Sequence, residues 1–123
     1  MIKRTAYVAC FVAMLGASTA LLYFAFAYFS VAIIVENHSS DDISNVVVEY
    51  NGGPTELGNV PAGQSRSVRV RAKGDSGVRL KYTVRGKQLE TEEFGYFGRH
   101  YHGEIVLTLN ADGKWNAAVE ATP

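Results

Sequence analysis

The stretch V78-R-L-K-Y-T-V-R-G-K-Q-L-E-T-E92 decides the fold class. Val78, Leu80, Tyr82 and Val84 alternate with Arg79, Lys81 and Thr83, which is the period of a strand buried on one face. A glycine follows within two residues, and Leu89 reopens an apolar position beyond it. Two strands joined by a tight turn at Gly86-Lys87 satisfy this pattern, since Gly-X is a favoured two-residue hairpin loop. The register expected from that turn sets Lys81 beside Glu92, Thr83 beside Glu90 and Val84 beside Leu89, so opposite charges meet outside and apolar groups meet inside.

The same alternation recurs on both sides of the hairpin. Val31, Ile33 and Val35 form one set; Val46, Val48 and Tyr50 a second; Val68 and Val70 a third. After the hairpin come Ile105, Leu107 and Leu109, then Trp115, Ala117 and Val119. Between the sets lie NHSSDD, NGGP, PAGQS, KGDSG and NADG, all rich in turn formers. Seven short strands without an intervening helical period predict an all-β domain: a small antiparallel β-sandwich, immunoglobulin-like in a loose sense, over residues 30–123. The chain has 123 residues, enough for one such domain. It has a single cysteine, Cys10, so no intrachain disulfide supports the core.

Upstream the pattern differs. From Thr5 to Val35 there is no charged side chain; Lys3 and Arg4 precede the run and Glu36 follows it. A cleaved signal peptide has a shorter apolar stretch, and cleavage near Ala20 would leave LLYFAFAYF at the new terminus. The expectation is therefore residues 1–4 in the cytoplasm, a single transmembrane α-helix over residues 5–29 as an uncleaved signal anchor, and the sandwich outside. Tyr23, Phe24, Phe26, Tyr28 and Phe29 would form an aromatic belt at the outer interface. Ala9, Ala13, Gly16, Ala17 and Ala20 make a small-residue stripe on which a second membrane helix can pack. Membrane lipid and another integral membrane protein are the partners this predicts. Almost no linker separates the anchor from the first strand.

Residues 36–123 carry ten basic and twelve acidic side chains, a net charge of −2, which argues against nucleic acid. Arg69, Arg71 and Lys73 are expected on an outward face. With Arg66 they include three arginines that find no obvious acidic neighbour in the sequence, so lipid headgroups or an acidic protein are candidate partners for Arg66, Arg69 and Arg71.

VENHSSDDISNVVVEYNG, LGNVPAGQSRSVRV, GDSGVRLKY and FGYFGRHYHGEIVLTL resemble small bacterial envelope proteins of uncharacterised function. These carry one N-terminal apolar segment and a short β domain with an N-x-S…LG-x-(I/V)-P-x-G-x-S pattern. The resemblance implies a bacterial, extracytoplasmic setting, with the outer domain in the periplasm of the inner membrane. It carries no active site. In that setting Asn37-His38-Ser39, formally a glycosylation sequon, is not used as one.

Two motifs invite chemistry. GDSG, Gly74 to Gly77, is similar to the nucleophile region of serine proteases, but it lies between two alternating runs where Gly, Asp and Ser are turn residues. FGYFGRHYHG, Phe94 to Gly103, places His100 and His102 two apart, which in a strand would share a face. A metal needs a third ligand, and only His38, Glu104 or Asp41 could supply one. The reading adopted is a bent aromatic segment at one end of the sandwich, with Tyr96, Phe97, Arg99 and Tyr101 as candidate protein-contact residues. No cofactor, no metal and no small-molecule ligand is expected, and no enzyme. The function read from the sequence is a non-enzymatic accessory or interaction subunit of a membrane complex. Alternatives are an immunity protein against a periplasm-acting toxin and a histidine-based metal carrier.

Overall fold

A computed structural model of the chain describes residues 21–22 and 30–123. The anchor, its aromatic belt and the stripe Ala9, Ala13, Gly16, Ala17 and Ala20 lie outside the described residues. The described part of the chain is all-β, in two facing sheets. The strands are β1 (Val31–Asn37), β2 (Ile43–Glu49), β3 (Thr55–Val60), β4 (Ser65–Val70), β5 (Ser76–Val84), β6 (Lys87–Glu90), β7 (Phe94–Phe97), β8 (Gly103–Leu109) and β9 (Trp115–Val119). One sheet has the order β4-β1-β8-β9; the other has β3-β2-β5-β6, with β7 also paired to β5.

The alternation read from the sequence places the core. Val31, Ile33 and Val35 of β1 and Ile105, Leu107 and Leu109 of β8 turn inward from the first sheet. Val46, Val48, Val78, Leu80 and Tyr82 meet them from the second. All are essentially removed from water, and burying each aliphatic side chain contributes roughly 1.5–3 kcal/mol before chain entropy is subtracted. Trp115 closes one flank: its Nε1 donates to the Tyr82 hydroxyl at 3.1 Å, and the two rings meet edge to face at 5.4 Å.

Three expectations need correction. There are nine described strands where the pattern predicted seven; β3 and β7 are the additions. The sandwich is not wholly antiparallel, because β1 runs parallel to β8, with Val31 opposite Gly103 and Asn37 opposite Leu109. These two strands are distant in sequence, so no hairpin constrains their direction.

The hairpin is present but shifted by two residues. Lys81 faces Glu90, Tyr82 faces Leu89 and Val84 faces Lys87. The turn is Arg85-Gly86, both with positive φ (49° and 73°), the backbone signature of a type I′ loop. Lys81 therefore does not meet Glu92. Its Nζ lies 3.0 Å from Glu49 on β2, while Arg79 lies 3.5 Å from Glu90. Glu49 raises the Lys81 pKa above its ordinary value, first by the hydrogen bond and then by its charge.

Candidate interaction surface

The aromatic segment is built on β5. After β6 the chain continues along the same strand: Thr91 N–H donates to the Leu80 carbonyl at 2.9 Å, and Leu80 N–H donates to Thr91 Oγ1 at 3.0 Å. β7 then pairs through Val78 with Phe94 and Ser76 with Phe97, with a bulge between the two pairs. Gly95 sits in that bulge at φ 63°, where a Cβ would come within 2.9 Å of a Val119 methyl. Four of the ten residues read as a bent loop thus form a short strand.

The bulge sorts the rings. Phe97 is fully buried and its ring lies 6.3 Å from Tyr50, so it belongs to the core and is no surface anchor. Tyr96 projects outward and is 51% exposed. Its hydroxyl donates to Asp75 Oδ1 at 2.7 Å, and its ring stands edge to face on Tyr101 at 5.8 Å. The hydrogen bond to Asp75, with desolvation and the Asp75 charge behind it, raises the Tyr96 pKa above 10. Tyr101 is half-buried over Gly98, and its N–H closes a turn on the Gly98 carbonyl at 3.2 Å. Arg99 and His100 are exposed at that turn.

His100 and His102 do not share a strand face. His100 lies in the turn, while His102 forms a two-way backbone bridge with Thr122. Among the described residues no three His, Cys, Asp or Glu side chains gather into a ligand set.

Beside Tyr96 an open cleft of about 310 Å³ runs between Glu49, Tyr50 and Asn51 on one side and Asp75, Gly77, Arg79 and Glu93 on the other. Ser76, of the GDSG stretch, is in its wall. Ser76 Oγ accepts from the Asn51 N–H at 2.9 Å and donates to the Gly77 carbonyl at 2.7 Å. A serine whose proton goes to a backbone carbonyl holds two loops together and is not poised as a nucleophile. The cleft presents peptide groups, carboxylates, one arginine and the Tyr50 ring, and the Tyr96 phenol is held against its Asp75 wall.

The arginines do not form one face. In the β1–β4 register Val35 faces Arg66 and Ala32 faces Arg69, so Arg66 shares the inward side with Val68 and Val70. Its guanidinium crosses to the other sheet, passes over Gly58 and donates to the Leu57 carbonyl at 3.4 Å. Arg69 turns outward and donates to Ser30 Oγ at 3.3 Å. Arg71 is exposed just past β4.

One set of residues escaped the sequence reading. Asn37 is completely buried. Its Nδ2 donates to the carbonyls of Asp41 (2.8 Å) and Val60 (3.0 Å), and its Oδ1 accepts from Ser39 N–H and Oγ. Its backbone N–H donates to the Gln64 carbonyl, and its carbonyl accepts from Gly63 N–H. The N-x-S and P-x-G-x-S parts of the pattern are therefore the two halves of one latch. An enclosed Asn37 also has no room for a glycan.

No protein-family model matches the chain, and no curated protein matches it. Among solved structures it is similar to one described as the NMR structure of a protein from Eubacterium rectale, with a TM-score of 0.54 and 14% identity, over 75% of this chain and 89% of that one. At that identity the likeness concerns the fold alone.

Proposed function

We propose that the protein is a non-enzymatic interaction subunit: a β-sandwich held at the outer face of the bacterial inner membrane by a single transmembrane helix over residues 5–29, and docking there onto another integral membrane protein. The sandwich is read as loosely immunoglobulin-like. The observation that carries this reading is Tyr96. Its ring is half exposed, yet it is fixed by Asp75 and Tyr101 on the bulged β5–β7 pair, next to a polar cleft that Asp75 lines. Ordered aromatic rings beside polar groups bind proteins well because little side-chain entropy is lost on contact. Strand β1 begins at Val31, two residues beyond the proposed helix over residues 5–29, so an anchor there would hold this surface close to the bilayer.

The test is purification of the full chain in mild detergent, followed by identification of what accompanies it. A membrane protein retained by the wild type and lost with Tyr96→Ala, at unchanged thermal stability, supports the reading. A secreted toxin in its place favours the immunity alternative, and a chain that purifies alone with bound metal favours the carrier.

A further inference from the structure

We infer that β9 is a self-pairing edge, through which two copies of this chain join their four-stranded sheets into one. Each sheet has two edges, and three of the four are poor templates. β4 carries Arg66 and Arg69, β3 is bulged around Gly58, and β6 and β7 are four residues each with Lys87 and Glu90 on the former. Charges, bulges and shortness are how edges avoid pairing. β9 has neither charge nor bulge and, at five residues, is one longer than β6 or β7. It reads Trp-Asn-Ala-Ala-Val, with no charge and no proline; β7 packs near Val119 from the facing sheet, but among the described strands only β8 hydrogen-bonds to it. Val119 is 43% exposed although it lies on the inward side opposite Ile105.

The hydrogen-bond phase of the edge selects an antiparallel mate. Glu120 N–H donates to the Glu104 carbonyl and Asn110 N–H to the Lys114 carbonyl, both at 2.8 Å. Bonding alternates along an antiparallel ladder, so Trp115, Ala117 and Val119 aim their N–H and C=O groups away from β8, at the free edge. A second copy centred on Ala117 takes up all of these groups: Ala117 faces its own mate and Trp115 faces Val119. The same register sets Lys114 against Glu120 at both ends. It keeps both inward faces on one side, covers the exposed Val119 and opposes no like charges. Two-fold symmetry, backbone phase, apolar face and charge thus agree on one register. The inference does not depend on the docking role proposed for Tyr96.

The test uses the full chain in detergent with Cys10→Ser as background. In this register Ala117→Cys lies about 5.5 Å from its mate, Cα to Cα, and cross-links on mild oxidation. Ala118→Cys alone is offset from its mate by two residues, about 7–8 Å, and does not cross-link. Asn116→Cys and Ala118→Cys, each silent alone, cross-link when mixed. Ala117→Lys, at an exposed position, lowers the dimer fraction in light scattering about tenfold, while its thermal unfolding matches wild type at concentrations low enough that both are monomeric. Equal cross-linking at 117 and 118, a wild type that is monomeric at every concentration without the 117 cross-link, or a dimer indifferent to Ala117→Lys would each overturn the inference.

Discussion

The side-chain amide of Asn37, the last residue of β1, donates to the carbonyl of Val60, the last residue of β3, at 3.0 Å. One buried side chain thereby joins the two sheets at one end of the sandwich. Asn37→Ala would leave the Val60 carbonyl and the Ser39 N–H without their partners. The expected loss is about 2–3 kcal/mol, which for a domain of this size lowers Tm by roughly 10 °C or more. Asn37→Asp should recover little, since a carboxylate cannot donate to Val60. Thermal unfolding followed by circular dichroism measures both; a Tm within a degree or two of wild type would discard the latch.

Tyr96 should titrate above the ordinary tyrosine range. Its folded pKa is raised, so the contact with Asp75 is fully present at neutral pH and is lost as pH climbs through the folded value above 10. Ultraviolet difference titration of wild type against Tyr96→Phe isolates this phenol from the other tyrosines. Asp75→Asn should bring it down toward 10. A Tyr96 transition already at or below 10 in the wild type would contradict the hydrogen bond.

Gly103 and Gly113 both have positive φ, 113° and 84°, but only Gly103 is crowded. A Cβ at Gly103 would overlap the Glu120 carbonyl, whereas nothing stands near Gly113. Gly113→Ala should therefore cost about 1–2 kcal/mol, the strain of a left-handed residue. Gly103→Ala should cost roughly 3 kcal/mol or more and loosen β8 from β9. Equal losses in urea unfolding would mean that backbone strain alone sets the cost.

The hairpin offers a gain. Arg85 holds φ 49° in the first position of the type I′ turn, where Asn is much preferred. Its ion pair with Asp41 at 3.4 Å is exposed and contributes little. Arg85→Asn should stabilise the domain by about 0.5 kcal/mol. A loss of stability in the same measurement would show that the Asp41 contact matters more than the turn.

The same turn shows where the sequence stopped being informative. Strands β1, β5 and β8 are legible because each buries every second residue; β2 alternates only from Val46 onward, past the bulge at Asn45. The hairpin register is not legible, since Leu89 can oppose Tyr82 or Val84 with equal apolar sense, and an arginine at positive φ is an unexpected choice. Both registers have the same parity, so the inward and outward faces came out right while the ion-pair partner of Lys81 did not. β3 was hidden because its buried residues, Leu57 and Val60, are three apart around the bulge at Gly58. β7 was hidden by its own bulge, and only three dimensions reveal that Phe97 is core and Tyr96 surface. The latch at Asn37 was visible as a motif, but nothing in one sequence says that its two halves touch.

The position of β1 has a mechanical consequence. β1 is an interior strand, paired to β4 through six residue pairs on one side and to β8 through seven on the other. A pull on the preceding segment along the β1 axis loads both ladders in shear, so their bonds resist together instead of peeling one at a time. An edge strand in the same place would unzip from its single neighbour under far less tension. The domain is thus strongest along the line where a tether would haul on it.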